Sequence, residues 1–174
     1  MSASRAEHDW PFTLKDHAVI HVRRLTTDDY DAVVRLAIAL TDRERYLRFF
    51  TAHPSYLDHW ARSLTDPGDP DQHAVGAFED DMLVGVANYN RTSQSGCAEA
   101  SVLVAHDQHD RGVGTALLKV LGLVARGDGI RHLVADVLTD NHEMQRVLAD
   151  AGWSRSCRQD GCILSYDVDL DHTS

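Results

Sequence analysis

Hydrophobic and polar positions follow two periodicities along the chain, and each change of period marks a predicted element. Residues 17–25 form a β-favouring run, and apolar positions from Tyr30 to Leu40 recur at helical spacing. Between these two segments, residues 26–29 supply the hydroxyls and carboxylates that cap a helix start. Residues 41–50 and 54–64 predict two further short helices. The first part of the chain is therefore mostly helical after one strand.

Downstream of the breaker DPGDPD at residues 66–71, the pattern becomes rich in strands. The predicted elements there are a hairpin (74–78 and 82–89), a strand (98–104), a helix that follows Gly114 and ends near Arg126, a strand (131–138), a helix from Asn141 to Gly152, and a closing hairpin (153–168). This order predicts an α/β (α+β) fold. We expect a flexible arm over residues 1–15 and a single domain over residues 16–170.

Composition excludes several functional classes. With 174 residues and 43% hydrophobic content the chain can bury a sizeable core, and no stretch approaches the ~20 apolar residues of a membrane span. The start of the chain lacks the apolar core of a signal peptide, so we expect a cytoplasmic protein without a membrane partner. The formal net charge of −10 argues against a nucleic-acid partner and suits a cationic acceptor, or serves solubility alone.

Metal and disulfide chemistry have little support in the sequence. The three cysteines, Cys97, Cys157 and Cys162, form no C-x-x-C pair, and the eleven histidines show no ligand spacing. We therefore expect free thiols and no metal site.

The segment His109-Asp110-Arg111-Gly112-Val113-Gly114 lies between a predicted strand and a predicted helix. Such a turn leaves backbone N–H groups free at the positive end of a helix, and this arrangement binds phosphates. Glycine lets a pyrophosphate approach the backbone closely. The third glycine of a dinucleotide-binding turn is absent, because Leu117 stands there. The segment predicts a phosphate-bearing cofactor of another type.

Four segments, SVLVAHD, HDRGVGTALL, HLVADVL and NHEMQRVLADAGW, together resemble the GCN5-related N-acetyltransferase (GNAT) superfamily. The resemblance covers roughly residues 17–168 and implies a central mixed, mostly antiparallel twisted sheet of six to seven strands flanked by about four helices. His109 stands where the family usually has Gln or Arg. Within the superfamily, the run RYLRFF at residues 45–50 resembles the bacterial protein lysine acetyltransferases of the Pat type.

The resemblance implies that the cofactor is acetyl-CoA. The residues implied to hold its pyrophosphate are His109, Asp110, Arg111, Gly112, Val113, Gly114 and Thr115, and those implied to pair with its pantetheine arm are Val102, Leu103 and Val104. One backbone N–H of this strand, assigned to Leu103, is implied to donate to the thioester oxygen. Asn141 either binds the pantetheine or caps its helix, and one side chain can do both. Lys119 either reaches the 3′-phosphate or is solvated on an exposed helix face.

Acetyl transfer to an amine requires a neutral nitrogen, and a carboxylate near the thioester can accept its proton. Glu99, in the strand AEASVLV, is the candidate base, because the Pat-type resemblance implies a glutamate in an Ala-Glu strand; the alternative is a solvent-facing charge at a strand end. The Pat-type resemblance implies that Tyr46, Arg48 and Phe50 line the acceptor channel; the alternative is a packing role. Leu148 stands where many relatives carry a tyrosine general acid, so none is named.

The sequence thus predicts an acetyl-CoA-dependent N-acetyltransferase that acts on a protein lysine by direct attack in a ternary complex. Two alternatives remain open: acetylation of a small amine, and a non-catalytic acyl-CoA-binding sensor. The oligomeric state also remains open, with a homodimer compatible with the sequence.

Overall fold

The computed structural model describes residues 9–49, 57–66 and 68–172. The strands within these ranges are β1 (Asp9–Thr13), β2 (Val19–Arg24), β3 (Gln72–Glu79), β4 (Met82–Arg91), β5 (Cys97–Val104), β6 (His132–Leu138), β7 (Cys157–Asp160) and β8 (Ile163–Asp169). The α-helices are α1 (Tyr30–Ile38), α2 (Asp42–Phe49), α3 (Leu57–Thr65), α4 (Val113–Gly127) and α5 (His142–Asp150).

The strands form one mixed sheet in the order β1-β2-β3-β4-β5-β6-β8-β7. Neighbouring strands are antiparallel except β5 and β6, which are parallel. The predicted α/β fold with a mostly antiparallel sheet is confirmed. The described residues contain eight strands and five α-helices, against the six to seven strands and about four helices expected. None of these helices combines the length and apolar character needed to cross a membrane.

Strand β1 corrects the expectation of a flexible arm over residues 1–15. Its residues pair with β2 in register from Asp9↔Arg23 to Thr13↔Val19. Pro11 lies in the middle of this strand, and it is tolerated because β1 is at the edge of the sheet, where a missing N–H breaks no inner ladder. Residues 1–8 lie outside the described residues.

Two apolar clusters cover the two faces of the sheet. The first packs α4 and α5 on one face and includes Leu117 and Leu148, which are almost fully buried. The second packs α1 and α3 on the other face, around residues such as Val33 and Trp60. Burial of apolar surface on both faces stabilises a sheet that is central in the fold.

Strands β5 and β6 separate after a short parallel ladder. Their pairs run from Cys97↔His132 to Glu99↔Val134, and beyond Glu99 both strands continue without pairing to each other. A fork therefore opens in the sheet, bounded by the second half of β5 and the second half of β6. The turn before α4 and the start of α5 lie at its wide end.

Candidate functional site

The turn before α4 presents free backbone donors. Gly112 adopts a left-handed conformation with φ 98° immediately before the helix, and the first α-helical bond of α4 joins the Ala116 N–H to the Gly112 carbonyl at 3.1 Å. The N–H groups of Val113, Gly114 and Thr115 have no acceptor within the described ranges. These three donors, at the positive end of a 15-residue helix dipole, form a candidate anion site, called the anion site below.

The two glycines of the turn have different roles. Gly112 needs its positive φ, and a Cβ there would meet nothing closer than 4.0 Å, so the constraint is conformational. A Cβ on Gly114 would come within 2.9 Å of the Val147 side chain on α5. Gly114 therefore lets α4 and α5 approach each other, which is a packing role in addition to the predicted access for phosphate.

A cavity fills the fork and meets the α4 N-terminus. Most of the residues expected to bind the cofactor line it, namely Val102, Leu103, Val104, His109, Asp110, Gly112, Val113, Gly114, Thr115 and Asn141. Arg111 is the exception, because its guanidinium bonds to Asp16 at 2.7 Å and to Glu79 at 2.8 Å. The Arg111 side chain thus ties two hairpin turns to the glycine turn and is not directed into this cavity.

The direction of the β5 backbone groups follows from the β4–β5 ladder. At one end the Thr92 N–H donates to the Cys97 carbonyl at 3.0 Å, and at the other the Ala105 N–H donates to the Val84 carbonyl at 2.9 Å. Backbone bonding alternates along an antiparallel strand. The odd-numbered residues of β5 therefore bond to β4, and the even-numbered ones direct their N–H and C=O groups towards the fork.

This alternation corrects the expected role of Leu103. Leu103 lies opposite Val86 in the bonded set, so its N–H belongs to the ladder with β4, and its side chain packs in the α1 and α3 cluster. The amides directed at the fork are those of Val102 and Val104. Sequence alternation alone could not decide between the two sets, because it does not reveal which edge of β5 is paired.

His109 connects three elements at the rim of the cavity. Its Nε2 donates to the Val104 carbonyl at 3.1 Å, and its Nδ1 lies 2.7 Å from Glu143 Oε2 on α5. Glu44 Oε1 on α2 lies 4.0 Å from Nε2. Both close partners are oxygen atoms, one of the β5 backbone and one of a carboxylate on α5. His109, which stands where the family usually has Gln or Arg, therefore links the end of β5 to α5 beside the anion site.

Glu44 is a cavity residue that the sequence analysis missed. Burial would raise the pKa of its carboxyl, but hydrogen bonds from the Thr41 N–H and from His106 outweigh burial and lower that pKa. His106 Nδ1 lies 2.5 Å from Glu44 Oε1, and this bond raises the pKa of the His106 ring. The only sequence signal is the capping box Thr41-x-x-Glu44, which indicates a helix start and no cavity.

Glu99, the predicted base, lies at the point where β5 and β6 separate. Its side chain is exposed, is not among the groups lining the cavity, and makes no hydrogen bond or ion pair within the described part of the chain. Val134 on β6 is the residue paired with Glu99. Asp136 lies two residues further along β6 and does line the cavity. Ser165 Oγ donates to Asp136 Oδ1 at 2.6 Å. Two carboxylates therefore flank the fork: Asp136 accepts a hydrogen bond, and Glu99 accepts none within the described residues.

The remaining predicted residues have mixed outcomes. Asn141 caps α5, since its Oδ1 accepts from the Met144 N–H at 3.1 Å, and it also lines the cavity. Tyr46 is 47% exposed and does not line the cavity. The side chains of Arg48 and Phe50 lie outside the described residues. All three cysteines are free thiols.

Comparison with known proteins adds to this geometry. The sequence profile described as the acetyltransferase (GNAT) family matches residues 35–153. Among solved structures, the GNAT domain of S. lividans PAT is similar with a TM-score of 0.84 and 27% identity, covering 94% of this chain and 98% of that chain.

Two more distant structures share the fold. A cAMP-binding acyltransferase from Mycobacterium smegmatis has a TM-score of 0.64 and 19% identity, over 95% of this chain and 49% of that one. The present chain thus spans about half of that protein. A Salmonella typhimurium protein solved with its cofactor acetyl-CoA has a TM-score of 0.68 and 17% identity, over 88% of this chain and 95% of that chain.

Proposed function

The chain belongs to the acetyltransferase (GNAT) family, and we propose that it transfers the acetyl group of acetyl-CoA to the side chain of a protein lysine. The observation that carries the proposal is the set of free N–H groups of Val113–Thr115, which open onto the cavity in the fork. This cradle fits a diphosphate, because several backbone donors and a helix dipole favour a doubly charged anion there. Acetyl-CoA, when bound, supplies an activated thioester.

The strand edge supports the pantetheine assignment. Val102 and Val104 direct backbone groups towards the unpaired side of β5, so an extended chain with amide groups can add there as a strand would. His109 bonds to the Val104 carbonyl, one of the two acceptors on that edge. The amide of Val102 is the donor that we assign to the thioester oxygen, in place of Leu103.

Proton removal falls to Glu99 in this proposal. A lysine ammonium has a pKa of about 10.4, so a carboxylate at the fork is needed to accept its proton, directly or through water. Glu99 makes no hydrogen bond within the described ranges, which leaves both its oxygens available. The neutral amine then attacks the thioester carbonyl directly, the C–N bond forms as the C–S bond breaks, and the CoA thiolate leaves and takes its proton from water.

Three observations favour a protein lysine as the acceptor. The GNAT domain of S. lividans PAT is the 27% identical neighbour, and the run at residues 45–50 resembles Pat-type enzymes. The net charge of −10 attracts a cationic acceptor surface. These observations support a protein lysine as the acceptor. Acetylation of a small amine is the competing hypothesis, and the experiment below distinguishes the two.

The test is incubation of the purified protein with radiolabelled acetyl-CoA and bacterial lysate, followed by separation by size. The Glu99→Gln variant at equal concentration controls for spontaneous acetylation. We expect label in protein bands, on lysines identified by peptide mass spectrometry, and much less with the variant. Label confined to small molecules would replace the lysine proposal with the small-amine reading. Binding of CoA without any transfer would indicate a sensor.

A further inference from the structure

A second cavity adjoins the proposed cofactor site on the outer side of the glycine turn. It lies between the β1–β2 turn and the first turns of α4, and its lining comprises Phe12, Thr13, Leu14, Lys15, Arg111, Gly112, Thr115, Ala116, Lys119 and Asp150. Lys15, Gly112, Thr115 and Asp150 also line the main cavity. The two cavities are therefore continuous around the anion site.

Both lysines of the chain line this second cavity. The sequence contains 17 Lys and Arg residues, of which only Lys15 and Lys119 are lysines, and they are 104 positions apart in the printed sequence. The fold brings them to one place, beside the donors of the anion site. Both side chains are exposed, and neither makes an ion pair with a carboxylate in the described ranges. Their ammonium groups are available to a ligand.

The β1–β2 turn that carries Lys15 is fixed to the glycine turn. The Lys15 N–H donates to the Arg111 carbonyl at 3.2 Å, and the Arg111 guanidinium bonds to Asp16 at 2.7 Å and to Glu79 at 2.8 Å. The Arg111 side chain is thus occupied as a structural tie and contributes little charge to a ligand. Because β1 pairs with β2 up to this turn, Lys15 has a defined position relative to α4.

We infer that Lys15 and Lys119 together bind the 3′-phosphate of the CoA nucleotide, so that the protein discriminates CoA from 3′-dephospho-CoA. The inference rests on the proposed function, because it places the diphosphate on Val113–Thr115 and the pantetheine in the fork. The nucleotide then continues outward past Thr115, which lines both cavities. A lysine ammonium is a compact charge that suits a phosphomonoester. Asp150 is the single carboxylate among the described residues of the lining, so the two lysines give the lining a net positive charge.

Calorimetric titration of CoA and of 3′-dephospho-CoA tests the inference. The proteins compared are the wild type, Lys15→Ala, Lys119→Ala and the double variant. Each single substitution is expected to weaken CoA binding about tenfold, the size of one lost charge-assisted hydrogen bond. Binding of 3′-dephospho-CoA should be unchanged in all four proteins. The preference for CoA should therefore disappear in the double variant.

Two controls accompany the titrations. Lys15→Arg and Lys119→Arg keep the positive charge and should retain most of the preference. Arg158→Ala removes an exposed cation on β7, at the far edge of the sheet, and should change neither affinity. Circular dichroism spectra of all variants serve to check that each one is folded.

The outcomes separate this inference from the proposed function. Equal weakening of both ligands by the double substitution would overturn the inference, since the lysines would then not distinguish the 3′-phosphate. Unchanged CoA affinity would overturn it as well. If the wild type bound neither ligand, the proposed function itself would fail.

Discussion

At the scale of single residues, the carboxylates at the fork differ in the hydrogen bonds that they receive. The Asp136 carboxylate accepts from Ser165 at 2.6 Å, whereas Glu99 accepts no hydrogen bond within the described residues. One oxygen of Asp136 is therefore already engaged, although Asp136 is the one that lines the cavity. In the proposed reaction, both oxygens of Glu99 can accept the proton of the acceptor amine.

Substitution of these carboxylates should separate their roles. We expect Glu99→Gln to lower kcat by roughly 10²–10⁴-fold, the range for loss of a general base, with an unchanged Kd for CoA. Asp136→Asn should lower kcat less than about tenfold, since its oxygen still accepts from Ser165. Steady-state kinetics at saturating acceptor measures both. The reverse order of effects would assign the base to Asp136.

The Glu44–His106 pair predicts a pH-dependent signal. The bond from His106 to Glu44 raises the pKa of the ring above its usual 6.5, and Glu143 contributes only a weaker Coulombic effect. In an NMR titration, the His106 pKa should fall back towards 6.5 in Glu44→Gln and change much less in Glu143→Gln. An equal response to the two substitutions would show that this hydrogen bond does not form in solution.

The same pair stabilises the fold over a defined pH window. The pKa of Glu44 is lowered from 4.5, so its contribution is present above that value and is lost as pH falls through the folded-state pKa. The pKa of His106 is raised from 6.5, so its contribution is complete below that value and is lost as pH rises through the folded-state pKa. Both partners are charged between these limits.

At the scale of elements, the glycine turn and α4 act as one unit. Gly112 at φ 98° sets the direction in which the first N–H groups of the helix point. Gly129, past the other end of the helix, also has a positive φ, 85°, and open space around it. The two positions differ in their distance from the proposed cofactor, so Gly129 is a matched control.

Alanine at these two positions should have similar effects on stability but different effects on binding. A non-glycine residue in the left-handed region costs roughly 1–2 kcal/mol, so Gly112→Ala and Gly129→Ala should lower the free energy of unfolding by comparable amounts. Only Gly112→Ala should weaken CoA binding, by about tenfold or more, because the turn relaxes and moves its donors. Urea unfolding and calorimetry measure the two quantities. Comparable losses of affinity in both variants would remove Gly112 from the cofactor site.

Elements bounded by strong local signals were predictable from the sequence. The Asp80-Asp81 turn between β3 and β4, the glycine before α4 and the Asn141 cap of α5 each lie where sequence patterns indicated. Strand β1 was not predictable, because its five residues include Pro11 and its stability depends on pairing with β2. Local propensity does not report such long-range pairing.

At the scale of the whole molecule, two apolar clusters share one sheet. Trp153 is buried in the cluster beneath α4 and α5, and Trp60 in the cluster beneath α1 and α3. Strands β3, β4 and β5 contribute side chains to both clusters, so neither can be lost without exposing the strands of the other. We therefore propose that residues 16–170 unfold as a single domain.

Single-tryptophan variants test this cooperativity. The chain has three tryptophans, and variants that keep only Trp60 or only Trp153 report separately on the two clusters. In each variant, fluorescence and far-UV circular dichroism should give the same urea midpoint. A fluorescence transition that precedes the circular dichroism transition in one variant would indicate two independently unfolding units.

The position of most candidate cofactor residues on the cavity was predictable, whereas the rim of the cavity was not. The turn and strand residues have local motifs, and nine of them line the cavity together with Asn141. Glu44 and Lys15 are important only because α2 and the β1–β2 turn fold back over the fork and the anion site. The error at Leu103 has the same origin, since the edge on which β5 pairs is a property of the whole sheet.

The most direct measurement is a crystal structure of the protein with acetyl-CoA. We predict diphosphate oxygens within about 3 Å of the N–H groups of Val113, Gly114 and Thr115, with the pantetheine paired to Val102 and Val104. A complex in which the nucleotide binds elsewhere, with these donors still facing solvent, would contradict the account.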